Sequence, residues 1–163
     1  MLEIREARIT DVTLVMDIID KARHIMRASG NLTQWVHGYP SSNVICADIE
    51  KGNGFVVCYQ EQLVGYFAFI KGNDPTYTYI ENGAWKNELP YGVIHRLASD
   101  GTHKGVATAC FNFAFRYVST IRVDTNHTNL PMQQFLRKYG FEYCGIIYVS
   151  DGSPRDAFLL SKE

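Results

Sequence analysis

The residues with the clearest chemical potential lie between Ala98 and Phe113, ASDGTHKGVATACFNF, where a polar turn runs into an apolar helix. At the join, Gly105, Val106 and Ala107 follow His103 and Lys104. A strand that feeds such a turn and then a helix leaves several backbone N–H groups unpaired and pointing one way, and the helix dipole adds positive potential. These are the elements of an anion site. Gly105 lets a ligand approach the backbone, Ala107 keeps the first turn narrow, and His103 and Lys104 can add charge. The same small residues also suit a tightly packed helix start, which is the commoner reason for them. A dinucleotide fingerprint would need Gly-x-Gly-x-x-Gly, and a P-loop would need Gly-Lys-Ser/Thr after four spacers. The chain has neither.

Two loops gather aromatic side chains. QWVHGYP carries Trp35, His37 and Tyr39, and TYTYIENGAW carries Tyr77, Tyr79, Glu81 and Trp85. Large rings with a carboxylate among them suit a small cation, and such rings also plug sheet edges. No two of the five histidines have the spacing of a metal pair on one helix, so no metal is expected. The four cysteines, Cys46, Cys58, Cys110 and Cys144, form no Cys-x-x-Cys pair, and three lie inside apolar runs. Buried, reduced thiols and a cytoplasmic location are expected. The charged start, MLEIREARITD, does not read as a signal peptide, and no run is long enough to span a bilayer. Sixteen basic against seventeen acidic side chains give a net charge of -1, so no general basic field exists to hold nucleic acid.

These residues have to be positioned by a framework that the hydrophobic pattern outlines. With 163 residues, 46% hydrophobic and 20% charged, the chain is long enough to bury a sizeable core. No repeat, linker or low-complexity tract divides it, so one domain over 1–163 is expected. Leu2 to Ile9 alternates as a strand, and Thr10 offers an N-cap. Leu14, Ile18, Ala22 and Ile25, with Val15, Ile19 and Met26 beside them, recur at helical spacing until Gly30. A short helix over 42–51 follows the first aromatic loop. GFVVCYQEQLVGYFAFI reads as two strands joined by a tight turn at 60–62. YGVIHRLAS and TIRVDT are further strands, separated by a helix over 104–117 that is apolar nearly all round and must be buried. A helix over 129–139 stops at Gly140, and FEYCGIIYVS and RDAFLLS close the chain as strands. The order β-α-α-β-β-β-α-β-α-β-β predicts an α/β (α+β mixed) fold, a mixed and mostly antiparallel sheet with helices on its faces.

Three segments in this order give the chain its resemblance to the GNAT superfamily of acetyl-CoA-dependent N-acetyltransferases. Ile4-Arg5-x-Ala7 followed by Asp11 resembles the family's first strand and helix start. LASDGTHKGVAT resembles its pyrophosphate loop, Arg/Gln-x-x-Gly-x-Gly/Ala. Asn129-x-x-Met132 with Gly140-Phe141 resembles its last block, Asn-x-x-Ala ending in Gly-Phe. The resemblance implies that Leu97 and Ala98 offer backbone groups to the pantetheine arm in a splayed gap between two parallel strands. It implies that Thr102, His103, Lys104, Gly105, Val106, Ala107 and Thr108 wrap the pyrophosphate, and that Asn129 bonds the pantetheine arm while also capping its helix. Two positions depart from the family pattern: Thr102 stands where Arg or Gln is usual, and Leu136 stands where a tyrosine often sits near the CoA sulfur.

The implied reaction transfers acetyl from acetyl-CoA to a primary amine by direct attack in a ternary complex. It needs no protein nucleophile, only a deprotonated amine held beside a polarised thioester. Positioning can supply up to about 7–11 kcal/mol of such a barrier, and a general acid or base a further factor of roughly 10²–10⁴. Candidate bases near the gap are His95, Asp124, His127 and Glu81. His95 leads, because histidine changes charge near neutrality and a strand holds it rigidly. Trp35, Tyr39, Tyr79 and Trp85 are the expected acceptor wall. The acceptor would be a small-molecule or peptide amine, with no nucleic acid or membrane involved and a homodimer compatible with exposed terminal strands. The alternative on the same fold is a catalytically silent acyl-CoA-binding sensor or scaffold, consistent with Leu136 and Thr102.

Overall fold

Leu2 and Ile4 alternate with Glu3 and Arg5 to form the edge strand β1 (Leu2–Glu6), with Ile4 opposite Val57 on β2 (Gly54–Tyr59). The computed structural model describes residues 1–162. The chain enters its first helix through a 3-10 turn, Ile9–Asp11, which displaces the cap expected at Thr10. There the Asp11 carboxylate accepts from Arg8 N at 2.8 Å and from both terminal nitrogens of Arg5 at 2.8 and 3.0 Å. The hydrogen bonds from Arg5 outweigh burial and hold Asp11 below the usual carboxylate range. Helix α1 (Val12–Ala28) buries Val15, Ile18, Ile19 and Ala22. Leu14 and Ile25 stay 55% and 48% exposed, so the apolar stripe is wider than the surface the sheet covers.

Helix α2 (Ser42–Glu50) is capped by Ser41 Oγ, which accepts from Val44 N. Strands β2 and β3 (Gln62–Lys71) meet at Gln60 and Glu61, whose φ of 50° and 70° give the left-handed two-residue turn that matches strand twist. Strand β4 (Gly92–Ser99) leads to α3 (Val106–Ala114), which is shorter than the periodicity predicts. It starts only after Gly105, and past Phe115 it tightens into i→i−3 bonds, Arg116 N to Phe113 O and Tyr117 N to Ala114 O. Strand β5 (Thr120–Thr125), helix α4 (Leu130–Tyr139) and strands β6 (Glu142–Tyr148) and β7 (Pro154–Ser161) complete the expected order.

The seven strands form one mixed sheet in the order β1-β2-β3-β4-β5-β7-β6. Only β4 and β5 are parallel, joined through the α3 crossover that a parallel pair requires. They pair only at Gly92–Ile121 and Val93–Arg122. Beyond Val93 no further pairing joins them, and a gap opens in the middle of the sheet. Helices α3 and α4 cover one face over a core that includes Phe67, Phe111, Ile121 and Phe158. Helices α1 and α2 cover the other face above Val56, Tyr66 and Ala98. A smaller cluster around Tyr77 and Ile147 fills that second face beneath the segment between β3 and β4.

Candidate active site

The gap is a cavity of about 520 Å³ between the diverging ends of β4 and β5. Its shape starts with a bulge. The β3–β4 register runs from Ala68 opposite His95 to Tyr66 opposite Ala98, which leaves one extra residue on β4, and Arg96 carries a φ of 54°. A bulge breaks the side-to-side alternation of a strand. His95 and Arg96 therefore both turn to the α1–α2 face, while Ile94 and Leu97 pack with the α3–α4 core.

Each of the two side chains is held by a carboxylate. Arg96 donates to Asp48 through Nε at 2.8 Å and Nη2 at 2.6 Å, and to Tyr39 Oη at 3.0 Å. Tyr66 Oη donates to the same carboxylate at 2.8 Å. Burial works against the Arg96 charge, but the Asp48 bonds outweigh it and raise its pKa. This buried ion pair fastens α2 to the bulge. His95 Nε2 lies 2.8 Å from Asp74 Oδ2, and Asp74 Oδ1 accepts from Thr76 N at 2.9 Å and Thr76 Oγ1 at 2.7 Å. Burial would raise the Asp74 pKa, yet the bonds from His95 and Thr76 bring it down to about 2. An ionised carboxylate only accepts, so Nε2 carries the proton and Nδ1 keeps the free lone pair.

On the β5 side, Asp124 accepts from Tyr77 Oη at 2.6 Å. Burial, reinforced by Asp124, pushes the Tyr77 hydroxyl well up, so it stays a neutral donor. The Tyr77 ring lies 6.2 Å from the His95 ring. Two hydrogen-bonded pairs, His95–Asp74 and Tyr77–Asp124, thus frame the gap on one face of the sheet.

The loop after α1 closes the mouth. Trp35 and Tyr39 line the cavity, and Gln34 Oε1 accepts from Asn129 Nδ2 at 3.2 Å and from Asn31 Nδ2 at 2.9 Å. Thr33 Oγ1 accepts from Asn126 Nδ2 at 2.9 Å. Asn129 caps α4, its Oδ1 accepting from Met132 N at 3.3 Å, and it too lines the cavity.

From Leu97 in the cavity, β4 runs directly into the turn before α3. Gly105 has a φ of 87°, and a side chain there would meet nothing within 4 Å. Its glycine is required by backbone conformation rather than by crowding within the protein. Among the described residues no side chain caps α3, so the N–H groups of Val106, Ala107 and Thr108 have no side-chain acceptor. Thr102 is occupied inside the loop: its N and Oγ1 donate to Asp100 Oδ1 at 2.9 and 2.6 Å, and Oγ1 sits 2.9 Å from His103 Nδ1. The His103 ring packs on Tyr59 at 4.2 Å. Lys104 is exposed, with no ion pair among the described residues.

Of the expected site residues, the cavity brings together His95, Leu97, Asp124, Asn129, Trp35 and Tyr39. Ala98 is buried in the core under α1. The turn residues 102–108 also lie outside the cavity lining, as do Glu81, Trp85, Tyr79 and His127. Glu81 bridges to Ile146 on β6 and accepts from Tyr148 Oη at 2.8 Å and Tyr79 Oη at 3.2 Å. Trp85 stacks on the Arg122 guanidinium at 4.2 Å and donates to Tyr77 O at 2.9 Å. Tyr79 is exposed. His127 is exposed at the surface, 2.9 Å from Asp156. Leu136 is fully buried in the core, and Tyr139 Oη donates to Asn112 at 2.6 Å, so α4 brings no hydroxyl to the cavity.

Sequence reasoning missed Asp74, Arg96 and Asp48, and named Tyr77 only as a ring of the second aromatic loop. Asp74-Pro75-Thr76 carried the one available signal, since aspartate before Pro is a helix-cap pattern that fixes a carboxylate.

The sequence matches no family profile and no curated protein. Among solved structures, the chain is similar to a GNAT family acetyltransferase from Streptococcus agalactiae, with 30% identity and a TM-score of 0.90 over 99% of this chain and 96% of that one. A GNAT family acetyltransferase from Listeria monocytogenes is 21% identical with a TM-score of 0.72, over 98% and 94% of the two chains. One from Bacillus cereus is 20% identical with a TM-score of 0.67, over 100% and 99%. The last two support the fold alone.

Proposed function

Because the chain belongs to the GNAT family of acetyltransferases, we propose that it transfers an acetyl group from acetyl-CoA to a primary amine by direct attack in a ternary complex. The observation that carries this reading is the continuity of two features along one strand. Strand β4 lines the gap, and the turn that follows it leads into an uncapped helix start that suits a pyrophosphate.

In this reading the N–H groups of Val106, Ala107 and Thr108 hold the pyrophosphate, with the exposed Lys104 ammonium adding charge. Leu97 and Asn129 border the pantetheine arm. Asn129 already donates its amide to Gln34, and that bond is exchanged for one to the substrate. The amine enters from the face of His95 and Asp124, between Trp35 and Tyr39. His95 Nδ1 accepts the proton of the attacking amine, while Asp74 fixes the tautomer and balances the imidazolium. Asp124, held by Tyr77, attracts the incoming ammonium before it is deprotonated. The acceptor is a small-molecule or peptide amine, and the protein works in the cytoplasm.

Incubating the protein with acetyl-CoA and a panel of amine classes tests this, with thiol release and heat stabilisation as readouts. Stabilisation by acetyl-CoA together with amine-dependent thiol release is expected. Stabilisation without release for any amine would instead identify a silent acyl-CoA-binding protein.

A further inference from the structure

Two buried polar side-chain atoms have no hydrogen-bond partner among the described residues, Arg122 Nε and Thr125 Oγ1. The first has a local explanation, since the Arg122 guanidinium lies between the rings of Trp85 and Tyr91 at 4.2 Å from each and donates to Asn87 O through Nη2. Thr125 has none. It is 1% exposed, it ends β5, and it lines the central cavity. A buried hydroxyl without a partner is costly, and its persistence points to a ligand that supplies one.

Position identifies the ligand atom. Along β5, Ile121 and Val123 pack into the α3–α4 core, whereas Asp124 faces Tyr77 on the other side. Strand alternation puts Thr125 with Ile121 and Val123. That is the side of the gap lined by Phe111 and Met132, opposite the face of His95 and Asp124. Counting on from the Val93–Arg122 pair sets Thr125 across the gap from the β4 bulge and Leu97. In the acetyltransferase reading the amine enters from the face of His95 and Asp124 and the acyl donor lies on the other, which puts Thr125 on the donor's side, across the gap from Leu97.

We propose that Thr125 Oγ1 donates a hydrogen bond to the sulfur of the departing CoA thiolate, a role that no hydroxyl of α4 can fill. The inference rests on the acetyltransferase reading above. The amine lone pair forms the C–N bond at the thioester carbonyl carbon, and the C–S bond breaks with its electron pair going to sulfur. The amine proton goes to His95 Nδ1, and Thr125 keeps its own proton. A thiol comparable to cysteine, with a pKa of about 8.5, leaves well enough as thiolate that a hydrogen bond suffices.

The test compares wild type with Thr125→Val and Thr125→Ser by three measurements. The first is the pKa of the bound CoA thiol, from its ultraviolet thiolate absorbance. The second is steady-state kinetics, and the third is melting without ligand. Thr125→Val is expected to melt no lower than wild type, because it removes an unpaired hydroxyl, and to raise the bound thiol pKa. Its kcat should fall roughly 10–100-fold, the effect of one hydrogen bond to a charged group, with the acetyl-CoA KM nearly unchanged. Thr125→Ser should restore both the thiol pKa and kcat, and it carries the test if the valine variant does not fold. An unchanged thiol pKa and kcat in Thr125→Val, with CoA still bound, would overturn the Thr125 assignment and leave the acetyltransferase reading standing. If wild type bound no CoA, both would fall together.

Discussion

Replacing Asp74 with Asn separates the two things this carboxylate does. In the folded protein it accepts from His95 at 2.8 Å and from Thr76 at 2.9 and 2.7 Å, and its pKa falls from 3.8 to about 2. A folded pKa below the unfolded one means that the contribution is fully present above about pH 4. It is lost as pH falls through about 2. At 1.36 kcal/mol per pH unit, the shift is worth about 2 kcal/mol at neutral pH. In a chain of this length that corresponds to roughly 4–8 °C of melting temperature. The catalytic effect is separate. An asparagine that turns its NH₂ toward His95 makes Nε2 the acceptor and moves the proton onto Nδ1, where the incoming amine needs a lone pair. Loss of the base should cut kcat by roughly 10²–10⁴-fold while the affinity for CoA stays near wild type. Thiol-release kinetics, calorimetric titration with CoA, and melting followed from pH 7 down to pH 2 read all three quantities. A variant that kept more than a third of wild-type kcat would refute the assignment of His95 as base through Asp74. One that melted like wild type at pH 7 would refute the stability argument.

Other expectations follow the same logic. Gly105→Glu should abolish CoA binding in calorimetry by placing a carboxylate at the uncapped helix start. Gly105→Ala, strained only by the φ of 87°, should lose about 1–2 kcal/mol in urea unfolding yet still bind. Asp48→Ala leaves Arg96 without its carboxylate and Tyr66 without its acceptor, and should cost roughly 3–5 kcal/mol in urea unfolding. Asn129→Ala should lose about 1 kcal/mol from the cap and also raise the KM for acetyl-CoA, whereas a purely structural cap would change stability alone.

The order of elements was legible because each had its own period: alternation in β1, i and i+4 spacing in α1, and Gly140 closing α4 at a φ of 124°. The tight turn between β4 and α3 was legible too, although Gly105 serves backbone conformation and Thr102 is absorbed by Asp100. The bulge was not, because nothing in VIHRLAS marks Arg96 for a φ of 54°; that value arises from the Asp48, Tyr39 and Tyr66 cluster, which tertiary structure assembles. The placement of Glu81 and Trp85 was also hidden. Their loop folds onto β6 through the Glu81–Ile146 bridge and onto the guanidinium of Arg122, neither of which a local pattern announces. The same fold turns Asp74 inward, so the carboxylate paired with His95 came from a proline turn rather than from the aromatic loop that drew attention.

The most direct test of acyl transfer through the β4–β5 gap is mass spectrometry of wild-type protein with acetyl-CoA, with and without an amine panel, run beside Gly105→Glu. Direct attack predicts an acetylated amine and free CoA only when amine is present. It also predicts an unchanged protein mass after acetyl-CoA alone, and no product from the Gly105→Glu variant. Product formation by that variant at the wild-type rate, or no product from wild type with any amine, would contradict it.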